Sequence, residues 1–151
     1  MADWKRFLIA VDGTEASMKA LAYFGAISGL NHDTELFLLY IYPEPPPNYY
    51  QSGKSLPDYQ RQKEEKAHLV FEKSKEALVK YHFEQNSINE KTIMAENKTI
   101  SQVILDYRAE IDCGTVIVGK RGVSKAEEFL FGSISSSLIH QSNDFAVWVV
   151  G

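Results

Sequence analysis

The chain has 151 residues, 44% hydrophobic and 24% charged, with a formal net charge of −4. That length bounds it to one domain around one core, and the acidic balance excludes non-specific nucleic-acid binding through a basic surface. The single cysteine, Cys113, excludes an internal disulfide, and no apolar run approaches the roughly 20 residues of a membrane helix, so a cytoplasmic protein is the expectation.

The run Arg6-Phe7-Leu8-Ile9-Ala10-Val11 is nearly continuous in its apolar character and stops at Asp12-Gly13. Its length and its ending predict a buried strand. Thr14 can then cap a helix carrying Met18, Leu21, Ala22 and Phe24, broken at Gly29 and Asn31. Glu35 to Ile41 is a second buried strand. After it come Pro43, Pro45, Pro46 and Pro47, four of the chain's five prolines, which end any central strand and start a loop to about Pro57. Asp58 caps a long helix in which Ala67, Val70, Phe71, Ser74, Ala77, Leu78 and Tyr81 share one face.

Thr92 to Ala95 reads as a short strand. Ile100, Val103, Ile104, Tyr107 and Ile111 follow at helical spacing, ended near Gly114. Thr115 to Val118 is the fourth strand, Ser133 to Gln141 the last helix, and Phe145 to Val150 the fifth strand. Strand alternates with helix throughout, which predicts a three-layer α/β/α domain with a parallel sheet covered on both faces. There is no internal repeat and no second domain.

In open parallel sheets, ligands sit beyond the carboxyl ends of the strands, where strand order reverses. Asp12-Gly13, the proline-rich loop and Gly119 all fall at such ends. The most telling segment is the last: Val118-Gly119-Lys120-Arg121-Gly122, then nine residues, then Gly132-Ser133-Ile134-Ser135. Glycines let backbone amides approach a ligand, and a helix opening at Gly132-Ser133 would present free N–H groups to an anion. Asp12 can accept hydrogen bonds from ribose hydroxyls, and Val11 and Ile41 can touch a base. Other phosphate devices are excluded by inspection. The chain has no Gly-x-x-x-x-Gly-Lys-Ser/Thr, and no Gly-x-Gly-x-x-Gly follows its first strand. The histidines His32, His68, His82 and His140 show no metal-ligand spacing. Cys113 lacks the basic neighbour that a reactive thiol needs.

Val11-Asp12-Gly13-Thr14-Glu15-Ala16-Ser17 resembles the opening of the universal stress protein family, and Gly119-x2-Gly122-x9-Gly132-Ser133 resembles the signature of its ATP-binding branch. The resemblance covers essentially the whole chain. It implies a five-stranded parallel sheet of order 3-2-1-4-5, like that of the adenine nucleotide alpha hydrolases, and a homodimer through the last strand, Phe145 to Val150. It implies ATP, ADP or AMP as ligand, with Ala10, Val11, Asp12 and Ile41 at the adenosine and Val118, Gly119, Arg121 and Gly122 around the ribose and phosphates. Gly132, Ser133, Ile134 and Ser135 would donate to the phosphates, with Mg or Mn bridging phosphate oxygens. The chain departs from the family at Glu96-Asn97, where a glycine is common, and at Ala146, where a proline is. The implied role is a nucleotide-binding stress-response regulator that signals through ligand-ordered loops to a protein partner. The alternatives are a slow ATPase or self-phosphorylating enzyme, and an interaction module without nucleotide.

Overall fold

The structure is a computed structural model that describes residues 2–29, 33–120 and 128–151, and of 128–133 the backbone only. Its elements follow the expected alternation: β1 (Asp3–Ala10), α1 (Glu15–Ser28), β2 (Glu35–Pro43), α2 (Leu56–Val79), β3 (Ile88–Ala95), α3 (Ile100–Glu110), β4 (Cys113–Gly119), α4 (Glu128–His140) and β5 (Ala146–Val150). The five strands form one parallel sheet in the order β3-β2-β1-β4-β5, as expected. Order reverses between β2-β1 and β4, so the carboxyl ends of β1 and β4 flank the switch point.

The two faces of the sheet carry separate cores. On the side of α1 and α2, Ile9, Leu21, Phe24, Leu38, Phe71, Leu78 and Ile117 pack together. On the side of α3 and α4, Leu8, Leu39, Ile104, Val116, Val118 and Leu138 do so. Alternate residues of one strand therefore supply opposite cores, which is why β1, β2 and β4 read as continuous apolar runs.

Several boundaries move, each for a physical reason. β2 continues through Pro43 instead of stopping at Ile41. Its pairing with β1 ends at Ala10–Leu39 while pairing with β3 continues to Pro43–Ala95. Beyond Leu39 one side of β2 is already unpaired, so a proline without an N–H is tolerated. β3 spans eight residues, not four. Its first half, with Asn89, Glu90 and Lys91 exposed, lies at the sheet edge and needs no apolar pattern. Asp58 is not the cap of α2: Ser55 is, and Asp58 sits three residues in, closing a capping box with it, with Pro57 in the first turn.

Tyr81 lies beyond the end of α2, not on its face. Its ring fills the space over Gly25, where a Cβ would come within 2.3 Å of it. Ile111 is likewise past the end of α3. The largest change is at α4, which already includes Glu128 and so does not open at Ser133. The glycine at 132 is tolerated inside it.

Candidate functional site

The turn after β1 is built by local hydrogen bonds. Asp12 Oδ1 accepts from the Thr14 amide at 2.8 Å and from its hydroxyl at 2.5 Å. Thr14 in turn caps α1 by accepting from the Ser17 amide. Gly13 adopts φ +80°, a conformation that side chains rarely take, so this glycine is dictated by the turn. Asp12 is thus oriented by its own loop. Its Oδ2 carries no hydrogen bond and is available at the carboxyl end of the sheet. Burial pushes the Tyr40 phenol up, and the nearby Asp12 carboxylate adds to the effect. Sequence reasoning passed over Tyr40, which lies inside a strand where it reads as core.

Gly119, the last residue of β4, meets this turn directly. A Cβ at that position would lie 2.6 Å from the carbonyl oxygen of Ala16 in the first turn of α1. Contact that close requires glycine. The end of β4 and the turn after β1 therefore share one wall of the switch point. Ala16 is a second residue the sequence did not single out; a small side chain one turn into α1 was the available signal.

Strand register sorts the apolar candidates. Ile9 pairs with Ile117 and Ala10 with Leu39. Ala10, Ile41 and Val118 consequently share the face packed by α3 and α4, where Ile134 joins them from α4. Val118 is buried, while Ala10, Ile41 and Ile134 remain partly open. Together they form an apolar shelf near the carboxyl end of the sheet. Val11 belongs to the other face, with only 3% of its surface exposed. Its side chain does not join the shelf, although its amide, bonded to the Leu39 carbonyl at 2.9 Å, fixes the chain beside it.

The phosphate half of the expected site divides differently. Arg121 and Gly122 lie outside the described residues, as does the Ser133 side chain. Gly132 and Ser133 do not open a helix: their backbone lies inside α4, so their amides are not the free donors of a helix start. Ser135 is half-buried one residue past Ile134. The Lys120 amide is already bonded to the Val150 carbonyl at 2.6 Å, which ties the end of β4 to β5.

Among the described residues, no three His, Cys, Asp or Glu side chains gather closely enough to hold a metal ion. Also among them, no helix is long and apolar enough to cross a membrane. Cys113 opens β4, fully buried, and burial pushes its thiol up to about 11. Trp148 on β5 packs edge-on against Phe7 and Tyr23, at 5.6 Å and 5.8 Å between centroids.

A five-stranded parallel sheet of this order, with a carboxylate turn and a glycine strand end meeting at its switch point, defines a three-layer α/β domain. The model of the universal stress protein family matches residues 3–150, and the chain belongs to that family. Solved structures agree on the fold. A universal stress protein family member from Burkholderia pseudomallei superposes with a TM-score of 0.72 at 14% identity, covering 97% of this chain and 96% of that one. A universal stress protein in complex with cAMP gives 0.70 at 16% identity, with the same coverages of 97% and 96%. The Archaeoglobus fulgidus universal stress protein in complex with dAMP gives 0.61 at 14% identity, covering both chains fully at 100%. Among curated proteins, no sequence match reaches significance.

Proposed function

We propose that this chain binds an adenine nucleotide at the switch point of its sheet and acts as a cytoplasmic regulator whose nucleotide state is read by a protein partner. One observation carries the reading: the close seat of Gly119 on Ala16, which sets the end of β4 beside the turn that carries Asp12. Two relatives of the same fold carry cAMP and dAMP. In this reading the base rests on the shelf of Ala10, Ile41 and Val118, and the open Oδ2 of Asp12 accepts from the ribose. Gly119, Arg121 and Gly122 follow the phosphates, while Gly132, Ser133, Ile134 and Ser135 approach them from α4. A divalent ion, Mg or Mn, would be held by phosphate oxygens, since no carboxylate or imidazole cluster is on hand for it among the described residues.

The reading also takes the protein as a homodimer. β5 is an edge strand, and Val149 is 40% exposed there, so its open backbone can pair with a second copy. Catalysis is not part of the proposal. Asp12 stands at the nucleoside end, and hydrolysis would need a base at the terminal phosphate.

The interaction-module reading has one observation in its favour. Packing alone accounts for Gly119, and backbone conformation alone for Gly13. Calorimetry of nucleotide-stripped protein against ATP, ADP, AMP and cAMP separates the two. Binding in the micromolar range, with mass spectrometry finding an adenine nucleotide released from denatured protein, supports the regulator. No heat at millimolar ligand from a folded sample leaves the module.

A further inference from the structure

Residues 46–54 lie between the end of β2 and the start of α2, and the chain is fixed on either side of them. On the near side the Tyr59 hydroxyl donates to the Pro43 carbonyl at 2.6 Å, and the Glu44 carboxylate accepts from the Asn97 amide at 3.3 Å. On the far side Ser55 and Asp58 close the capping box that opens α2. Between these anchors the segment bonds only to itself. The Tyr49 amide donates to the Pro46 carbonyl, the Gln51 amide to Asn48 and the Gly53 amide to Tyr50, and the Ser52 hydroxyl donates to the Tyr49 carbonyl. No hydrogen bond or ion pair joins residues 46–54 to any other described residue.

One side chain holds the segment down. Every residue from 46 to 54 is exposed except Tyr49, which is half-buried. Its ring packs edge-on against Tyr59, with centroids 5.2 Å apart, and joins the core under α1 and α2. Its contacts with the Tyr50 ring at 5.9 Å and the Lys54 ammonium at 5.6 Å lie within the segment and travel with it. The seat is incomplete, because the Tyr49 hydroxyl is buried without a hydrogen-bond partner. Buried phenols ordinarily find one. Burying the ring favours the seated position, and stripping water from an unpaired hydroxyl opposes it by an amount of the same order. The balance is therefore fine, and no polar bond to the described scaffold has to break. Gly53, at φ +80° with open space around it, gives the segment a pivot.

We propose that residues 46–54 form a strap that exchanges between a seated and a released position while the α/β core stays folded, with the unpaired Tyr49 phenol setting the balance. Release hydrates the phenol, uncovers Tyr59 and frees the helical turn Tyr49–Ser52, which is too short to persist alone. The seat lies near the proposed nucleotide site. Burial pushes the Tyr40 phenol up, and Asp12 and Tyr59 both add to the effect, so Tyr40 neighbours both groups. Use of the strap as the surface a partner reads rests on the regulator reading; its motion does not, and is tested without nucleotide.

The test compares wild type, Tyr49→Phe and Tyr49→Ala by amide hydrogen exchange at Gln51 and Gly53 and by the rate of trypsin cleavage after Lys54, a site that neither substitution alters. Tyr49→Phe keeps the ring and removes the unpaired oxygen, so the strap should seat more firmly, and exchange and cleavage should slow by about fivefold or more. Tyr49→Ala removes the plug, and both should quicken to the rates of an unstructured peptide of the same sequence. The Leu38 amide, on a fully buried residue of β2, should keep its protection in all three proteins. Exchange at Gln51 and Gly53 that is unchanged or faster in Tyr49→Phe would overturn the proposal. So would strap amides as slow as Leu38 in wild type, because the segment would then open only with the whole fold. Loss of Leu38 protection in Tyr49→Ala would do the same, since the ring would then hold the core and not the strap.

Discussion

The two faces of the sheet are built from different materials and close to different degrees. Under α1 and α2 the aliphatic core is interlocked by rings: Phe24 packs on Phe7 and Phe83 with centroids 5.1 Å and 5.4 Å apart, and Tyr59 packs on Tyr42 and Tyr49. It is also tied by polar bonds, such as the Tyr59 hydroxyl donating to the Pro43 carbonyl at 2.6 Å. This anchors the proline-rich loop to α2. Under α3 and α4 the core is aliphatic for most of its depth, and near the carboxyl ends of β1 and β2 it stays partly open at Ala10 and Ile41. One face is closed around its rings, and the other stays partly open. Directional, interlocking rings leave little room for a guest, whereas a shelf of small branched side chains can accept a flat one.

The sharpest way to break this comparison is on the aromatic side. Phe24→Ala removes a fully buried ring, and urea unfolding should show a loss of about 3–5 kcal/mol. Nucleotide affinity per folded molecule should stay the same. A cost below about 1 kcal/mol would mean that this face is not the closed core described, since truncated core rings cost several times that.

Gly119→Ala probes the junction of the two halves. The new methyl would collide with the Ala16 carbonyl, so stability should fall by about 1–3 kcal/mol, the usual cost of overpacking. The stabilisation conferred by added ATP should shrink with it, read as the ATP-induced rise in Tm. Unchanged stability with lost ATP response would make the glycine a ligand contact and not a packing requirement.

Ile41→Ala tests the open face. The side chain is half-buried, so the stability cost should be about 1 kcal/mol, while calorimetry should show ATP about fivefold weaker, as expected for losing a few methyl contacts. An effect on stability with none on affinity would move the base elsewhere.

The smallest effect concerns pH at the start of α2. The hydrogen bond from the Ser55 hydroxyl, then that from its amide, and then Arg61 hold Asp58 below its ordinary value. A carboxylate lowered in the folded state contributes stability that is present above its unfolded pKa and fades as pH falls through the folded one. A shallow decline in Tm should therefore set in below about pH 4, where an unperturbed aspartate takes up its proton. Ser55→Ala should flatten that limb. A decline equally steep in the variant would assign the acid sensitivity to other carboxylates.

Much of this architecture was legible because the signals are local. Strands such as Leu36 to Tyr40 are buried on both faces, and a central parallel strand shows this as an unbroken apolar run. Thr14 as a cap and Gly13 as a turn residue were readable from chemistry confined to a few bonds. The edge strand was half missed, since Asn89 to Lys91 form backbone pairs with β2 without any apolar pattern. The start of α4 was misplaced because the glycine-serine pair looks like a helix opening, and only the backbone path shows it inside the helix.

By itself, then, the sequence determined the alternation of elements and the candidate residues at the strand ends, because propensity, periodicity and turn chemistry act over a few residues. Tertiary structure decided which of those residues meet. It placed Val11 and Ala10 on opposite faces and seated Gly119 on Ala16. Such juxtapositions depend on crossover and register, where a shift of one residue exchanges the two sides of a strand, and no short stretch of sequence encodes them.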